Sequence, residues 1–411
     1  MAMVIVVLMH WTVQRVSWGA DGFRVENALH GTVAVAATWL LQVMPLFFLA
    51  GGVVNTITYD RAARNGESDA AFVGVRARRL LTATLPVLLV VAPLTTLGWL
   101  LGQGGPARQI ADNTANPWWF LVAYLVCVAS TPLAVRSHDR LGWWPLLLAL
   151  AAAVTANDGA RRLLPTAPGL GDLNVVLVWL TCHQLGVVYA RGSLARVPRF
   201  GLWAITAAAV LGIVGLVGQA GYPDVTIGLA DHPNQNLMPP TLALVLLAVA
   251  QVCLMALVAP AVGRWQPKRR TETFLTWANL LLFPVFLWHL PAFFVFLGLG
   301  TAVDWLLPAD EATFWALRPL VLLITTAFLS LIIAVVVPGE RIWLRYGAAA
   351  SPTRVTAGVL CGIVGTYLVW QRGIAPFDVN LVLDPVAICA MTLVATAVAL
   401  LTVRRPIRLD E

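Results

Sequence analysis

Apolar runs of about twenty residues recur along this chain of 411 residues from one end to the other. That is the length an α-helix needs to cross the hydrocarbon core of a bilayer. No other feature restricts the fold as strongly. Backbone groups surrounded by lipid must be hydrogen-bonded within their own segment, which leaves helices or a closed barrel. The in-out alternation of a membrane barrel is missing from these runs, so they are read as helices. Only 11% of the residues are charged, against about 25% in a soluble domain. The mean hydropathy is +0.80. The deficit of charge extends over the whole length, so the chain is read as one polytopic membrane unit.

Twelve spans are predicted, with 10–12 as the range: Ala2–Val13, Ala34–Ile57, Leu80–Leu101, Trp118–Val135, Trp143–Thr155, Val175–Tyr189, Leu202–Val217, Thr241–Val262, Phe274–Leu297, Leu317–Val337, Val355–Trp370 and Val386–Val403. The connecting loops test the count. Arg61, Arg64, Arg76, Arg78 and Arg79 crowd one short loop. With that loop on the cytoplasmic side, only Arg15, Arg24, Arg108, Arg161, Arg162, Arg318 and Arg372 of the 27 basic residues fall outside. Such a bias fixes orientation by the positive-inside rule. It predicts an even number of spans, with both termini cytoplasmic and the protein multi-pass in the cell membrane.

The net charge of +7 is scattered over short loops. A nucleic-acid partner would require it gathered on one face, so none is expected, and membrane lipid is the expected neighbour. The five cysteines all lie in apolar runs without CxxC spacing, which predicts neither a disulfide framework nor a metal site. Met1 to Val13 lacks a basic leader and a small-residue cleavage site, so no cleavable signal peptide is expected. Nucleotide-binding loops, GxSxG and HExxH are absent from the sequence. An ATP-driven pump, a serine hydrolase and a zinc protease are thereby disfavoured.

Ionisable groups inside lipid are costly and mark function by default. His10 lies within the first apolar run, where a neutral imidazole can take a proton from a hydroxyl and return one to a leaving group. The alternative is a histidine that only bonds a carbonyl on a neighbouring helix. His183 and Gln184, in Trp179-Leu180-Thr181-Cys182-His183-Gln184, and His289, in Leu287-Trp288-His289-Leu290-Pro291, read as pocket-lining or structural. The Trp-His-x-Pro order predicts a helix nearing the interface there. Asn55, Gln251 and Asn279 read as partners in helix–helix hydrogen bonds. His30, His138 and His232 read as solvated.

Several short stretches together resemble the acyltransferase type 3 family of bacterial integral-membrane acyltransferases. They are Val6-Val7-Leu8-Met9-His10, Met44-Pro45-Leu46-Phe47-Phe48-Leu49-Ala50-Gly51-Gly52, Arg76-Ala77-Arg78-Arg79, Trp118–Tyr124 followed by Pro132, Asn236–Ala243, and Leu287–Pro291. Their order over Met1 to Arg345 carries the resemblance. It implies a membrane acyltransferase-like domain over residues 1–345, with two additional helices in 346–411 packed on the same bundle. It implies transfer of an acyl group from cytoplasmic acyl-CoA to a hydroxyl of a carbohydrate, lipid or secreted metabolite, with no tightly bound cofactor.

By the same resemblance His10 matches the catalytic histidine, and Arg76 and Arg79 match the functional arginine pair. Arginine's planar fork suits the phosphates of acyl-CoA. His183, Gln184, His289 and Asn236 are candidate pocket residues, and Arg78 is read as a topological anchor together with Arg61 and Arg64. The family's first helix has about one more turn before the histidine, so either the true start lies upstream or this helix is short. A transporter or flippase without acyl transfer is the competing reading, and a member that binds without turning over is the third.

Overall fold

A computed structural model describes residues 2–19, 22–302, 310–344, 346–378, 380 and 382–406. Fourteen α-helices and two small sheets are formed by these residues. In chain order they are α1 (Ala2–Val13), β1 (Gln14–Gly19), β2 (Gly22–Asn27), α2 (Gly31–Leu40), α3 (Met44–Arg64), α4 (Asp69–Leu100), α5 (Gly104–Ala115), α6 (Trp119–Leu141), α7 (Pro145–Leu163), α8 (Leu170–Ala190), α9 (Arg199–Gln219), α10 (Leu242–Val262), α11 (Arg269–Ala302), α12 (Glu311–Leu344), β3 (Tyr346–Ala348), α13 (Pro352–Arg372), α14 (Pro385–Leu401) and β4 (Thr402–Pro406).

Every predicted span overlaps at least one helix. Among the described residues, nine helices are long and apolar enough to cross a bilayer. The other three expected spans fall short for different reasons. α1 has 12 residues and α14 has 17; at 1.5 Å per residue α1 covers about 18 Å, a little over half of the core. α7 is long enough, but Asn157, Asp158, Arg161 and Arg162 occupy its second half. The run predicted as Ala34–Ile57 is interrupted at Leu41–Val43, between α2 and α3. Pro45 sits in the first turn of α3, where its missing N–H costs nothing.

The loops segregate to two ends. At one end Arg191 bonds Asp60 of α3 at 2.5 Å and Asp139 of α6 at 2.9 Å. These carboxylates, Asp60 first, push the Arg191 pKa up. Arg136 bonds Asp69 and the Tyr59 hydroxyl at the same end. At the other end the β1–β2 hairpin pairs Gln14 with Asn27 through Gly19 with Gly22. It is tied to the loop before α10 by Asn27 to the Gly228 carbonyl, 2.8 Å. We call these the arginine-loop end and the hairpin end.

Close approach of α3 and α8 organises the centre. A Cβ on Gly52 would run into the carbonyl of His183, and one on Gly186 into the carbonyl of Leu49. Small residues at crossings let membrane helices pack backbone to backbone. Around this crossing, Phe48 and Trp179 stack at 4.7 Å and Phe120 and Tyr124 at 5.8 Å. α9, by contrast, buries only Leu202, Thr206 and Ala209 and leaves the rest of its surface outward.

The last two helices are stitched to the bundle at both ends. Arg78 of α4 donates to the Tyr346 carbonyl at 2.6 Å, and β3 pairs with β4. Arg108 of α5 donates to the carbonyls of Arg372 and Phe377 at 3.2 and 3.3 Å. Several loop and span assignments change. His138 is buried in α6 beside Ser193, 3.2 Å away, and is not solvated, because α6 runs on past the span to Leu141. Asn279 is exposed on α11 and does not face a neighbouring helix. Gln251 does reach across, to the Gln42 carbonyl at 2.9 Å.

Candidate active site

α1 buries Met3, Val7 and Trp11 against the bundle and turns Val4 and Leu8 outward, the helical spacing of a one-sided contact. That register places His10 beside α11. Trp11 donates through Nε1 to the His289 carbonyl at 2.9 Å. His10 Nδ1 lies 2.7 Å from His289 Nε2, and the two rings are nearly parallel, with centroids 4.9 Å apart and an angle of 10° between their planes. His289 Nδ1 contacts the Phe286 carbonyl at 2.5 Å. His289 is fully buried in the middle of α11, which continues through Pro291 to Ala302.

The hydrogen-bond chain fixes the tautomers. A carbonyl oxygen only accepts, so His289 Nδ1 carries the proton it donates to Phe286. In the neutral ring Nε2 is then an acceptor, and His10 Nδ1 must be the donor. His10 is left with an unprotonated Nε2. This assignment follows from the hydrogen-bond network. A half-buried imidazole oriented by a second group and keeping one lone pair has the arrangement a general base requires.

His10 lines a cavity of about 360 Å³ at the hairpin end. Polar side chains from four separate regions meet there: Gln14, Glu26 and Asn27 of the hairpin, Gln42 before α3, Asn113 and Asn116 around the end of α5, and Gln235 of the loop before α10. Trp119, Phe286, Leu290 and Phe294 supply apolar walls. None of these polar residues was singled out from sequence. The hairpin alone carried a readable signal, valine and aromatic residues around Gly19 and Asp21-Gly22.

The other predicted residues lie elsewhere. His183 is buried on α8, with Nε2 3.2 Å from the Asn55 amide nitrogen. Gln184 is buried beside it, and neither its Oε1 nor its Nε2 has a partner among the described residues. Asn236 is buried and closes its own loop, donating to the carbonyls of Pro223 and Val225 at 2.6 and 2.9 Å and accepting from Thr241 at 2.7 Å. Its neighbours Gln235 and Leu237, and not Asn236, line the His10 cavity.

Arg76 and Arg79 lie in the third turn of α4, because Ser68 caps that helix well before the apolar run begins. They share a face at i, i+3. The Arg76 guanidinium sits 3.8 Å over the Phe72 ring and close enough to Arg79 to be repelled by it. Arg79 is exposed. Arg78 is 7% exposed and bonds the Tyr346 carbonyl, so it braces β3. The His10 cavity is not lined by either Arg76 or Arg79. Between them runs a bank of rings: His289 to Phe286 at 5.7 Å, Phe286 to Phe120 at 4.9 Å, and Phe120 to Tyr124 at 5.8 Å. Tyr124 is within electrostatic reach of Arg76 and Arg79.

A bundle of many apolar helices, with a histidine pair beside a polar cavity, defines a multi-pass membrane protein. The acyltransferase family, described as an acyltransferase domain, matches residues 1–337, and the chain belongs to it. The protein is therefore an acyltransferase moving groups other than aminoacyl groups, which decides against the transporter reading. No curated relative and no solved structure matches the chain at a significant level.

Proposed function

We propose that the protein transfers an acyl group from acyl-CoA, held at the arginine-loop end, to a hydroxyl of an acceptor bound in the hairpin-end cavity. The observation that carries this reading is the Phe286–His289–His10 chain, which leaves His10 Nε2 as a base at the cavity. The arginine-loop end faces the cytoplasm in this reading, in keeping with the bias of basic residues. Arg76 and Arg79, two cations on one helix face, offer the phosphates of the donor a paired site. The narrow, uncharged pantetheine arm is the part of acyl-CoA suited to pass the bank of rings toward His10. No tightly bound cofactor takes part.

Carboxamides and one carboxylate dominate the polar lining of the cavity, with Trp119 and Phe286 beside them. Such a lining favours a carbohydrate or other polyhydroxylated acceptor over a plain lipid, because each hydroxyl buried there needs a partner. His10 takes the acceptor's proton and returns it to the departing thiolate.

The test uses purified protein, labelled acyl-CoA and a polyhydroxylated acceptor. His10→Ala is expected to lower transfer by about 10²–10⁴-fold, the usual worth of a positioned base. Arg76→Ala and Arg79→Ala are expected to raise KM for acyl-CoA and leave KM for the acceptor alone. Full transfer by the His10→Ala protein refutes the reading.

A further inference from the structure

α7 ends in charged residues that the chemistry at His10 does not use. Asp158, Arg161 and Arg162 stand in its last two turns and line a cavity of about 420 Å³. Asp158 is 4% exposed, and both its oxygens are occupied. Oδ1 accepts from Asn174 Nδ2 at 2.7 Å and from Arg161 at 3.4 Å. Oδ2 accepts from the Tyr222 hydroxyl and the Leu242 backbone N–H, each at 2.9 Å. Four donors thus neutralise the one carboxylate that lines this cavity. Asp224 and Asp231 line a neighbouring cavity of about 680 Å³ and not this one, and there they flank His232 at 2.9 and 3.9 Å.

The positive charges are oriented but keep open N–H groups. The Arg161 side chain stays 26% exposed beside Asp158. Arg162 is exposed and has no hydrogen bond or ion pair among the described residues. Its guanidinium lies 4.2 Å from the centre of the Tyr222 ring. The hydroxyl of that ring is tied to Asp158, so one buried carboxylate fixes both Arg161 and the ring under Arg162. A cation–π contact orients a guanidinium without using its N–H donors, and their planar fork matches the oxygens of a phosphate. Two cations against one carboxylate leave the cavity net positive. Leu164, Pro165 and Leu170 give it an apolar side, and its volume is that of a small-ligand site.

We infer that this cavity is a second binding site, which takes a phosphate group carried on a sugar or on a lipid headgroup. The polar lining suits the first source and the apolar side the second. Gln235 lines this cavity, its larger neighbour and the His10 cavity, so all three share a wall residue. A phosphorylated sugar held by Arg161 and Arg162 therefore borders the proposed acceptor space, while its binding does not require the reaction proposed at His10.

Thermal unfolding of the full-length protein in a maltoside detergent, which carries no phosphate, tests the inference. In a titration at fixed ionic strength, glucose 6-phosphate should raise the unfolding temperature of the parent by about 1–3 °C near ten times its Kd. Glucose should not. Without ligand, Arg162→Gln should unfold like the parent, as exposed changes do, and it should lose the shift. Arg162→Lys should keep part of it. Arg372→Gln removes one charge away from this cavity and should keep the whole shift, as should His10→Ala. Phosphatidic acid compared with diacylglycerol separates the sources. Stabilisation by phosphatidic acid that abolishes the glucose 6-phosphate shift assigns the site to a lipid headgroup, and an undiminished shift assigns it to a sugar. No shift with either probe overturns the site. A shift that survives Arg162→Gln, or that Arg372→Gln loses as fully, overturns it too. So does a shift lost in His10→Ala, which would put the phosphate in the other cavity. Failure of acyl transfer leaves an Arg162-dependent shift untouched, so the two readings fail separately.

Discussion

His10 and His183 are both imidazoles set among apolar helices, and each contacts one side chain on another helix. His10 meets His289 of α11 at 2.7 Å, and His183 meets Asn55 of α3 at 3.2 Å. Their surroundings differ. His183 is 1% exposed at the tight α3–α8 crossing, where no cavity reaches it among those described. His10 is half-buried, opens onto a cavity of about 360 Å³, and is oriented by a partner whose own proton is committed to a carbonyl. A histidine in a membrane is costly wherever it lies. It becomes available for chemistry where one nitrogen is fixed and the other remains free beside space for a substrate.

The contrast can be broken most sharply at His289. Replacing it with alanine removes the acceptor that holds His10 Nδ1–H, and transfer is expected to fall by about 10²–10⁴-fold, as when a histidine base loses its orienting group. His289→Gln keeps a carbonyl acceptor and should lose less. Equal rates for parent and His289→Ala, measured with labelled acyl-CoA, would show that His10 acts without its partner.

The next test separates pairing from function. His183→Leu alone removes one partner of the buried Asn55 amide, which also bonds the Tyr124 hydroxyl, and should cost about 1 kcal/mol of stability. His183→Leu with Asn55→Leu removes both partners and should recover most of it, with transfer close to the parent's. Thermal unfolding of the two proteins decides this. A loss of transfer in the double variant as deep as that of His10→Ala would make His183 part of the chemistry.

A smaller effect sharpens the same distinction among the arginines. Arg78→Gln leaves the Tyr346 carbonyl without its donor and should lower the unfolding temperature by a few degrees. Arg79→Gln, at an exposed position, should leave unfolding unchanged and raise KM for acyl-CoA. The reverse pattern would exchange the roles given to these neighbours.

The helices were legible in the sequence because lipid imposes one demand on every span, and apolar runs of sufficient length meet it locally. The span at Thr241–Val262 coincides with α10 almost residue for residue, and that at Leu80–Leu101 forms the later part of the longer α4. His10 could be picked out as an unusual residue in an apolar run. Its partner could not: 279 residues separate His10 from His289, and no local pattern connects them. Gln42 reads as the polar end of an apolar run until the break between α2 and α3 places it on the cavity wall. Asn236 reads as a candidate ligand until all its hydrogen bonds prove to be spent within its own loop.

The sequence by itself determined a many-span helical membrane protein, because that property depends on local composition measured against a bilayer. The tertiary structure decided which histidine is oriented, which arginine is buried, and which amides gather in one cavity. Those choices depend on hydrogen-bond partners and burial contributed by helices distant in the chain, and only packing brings these together.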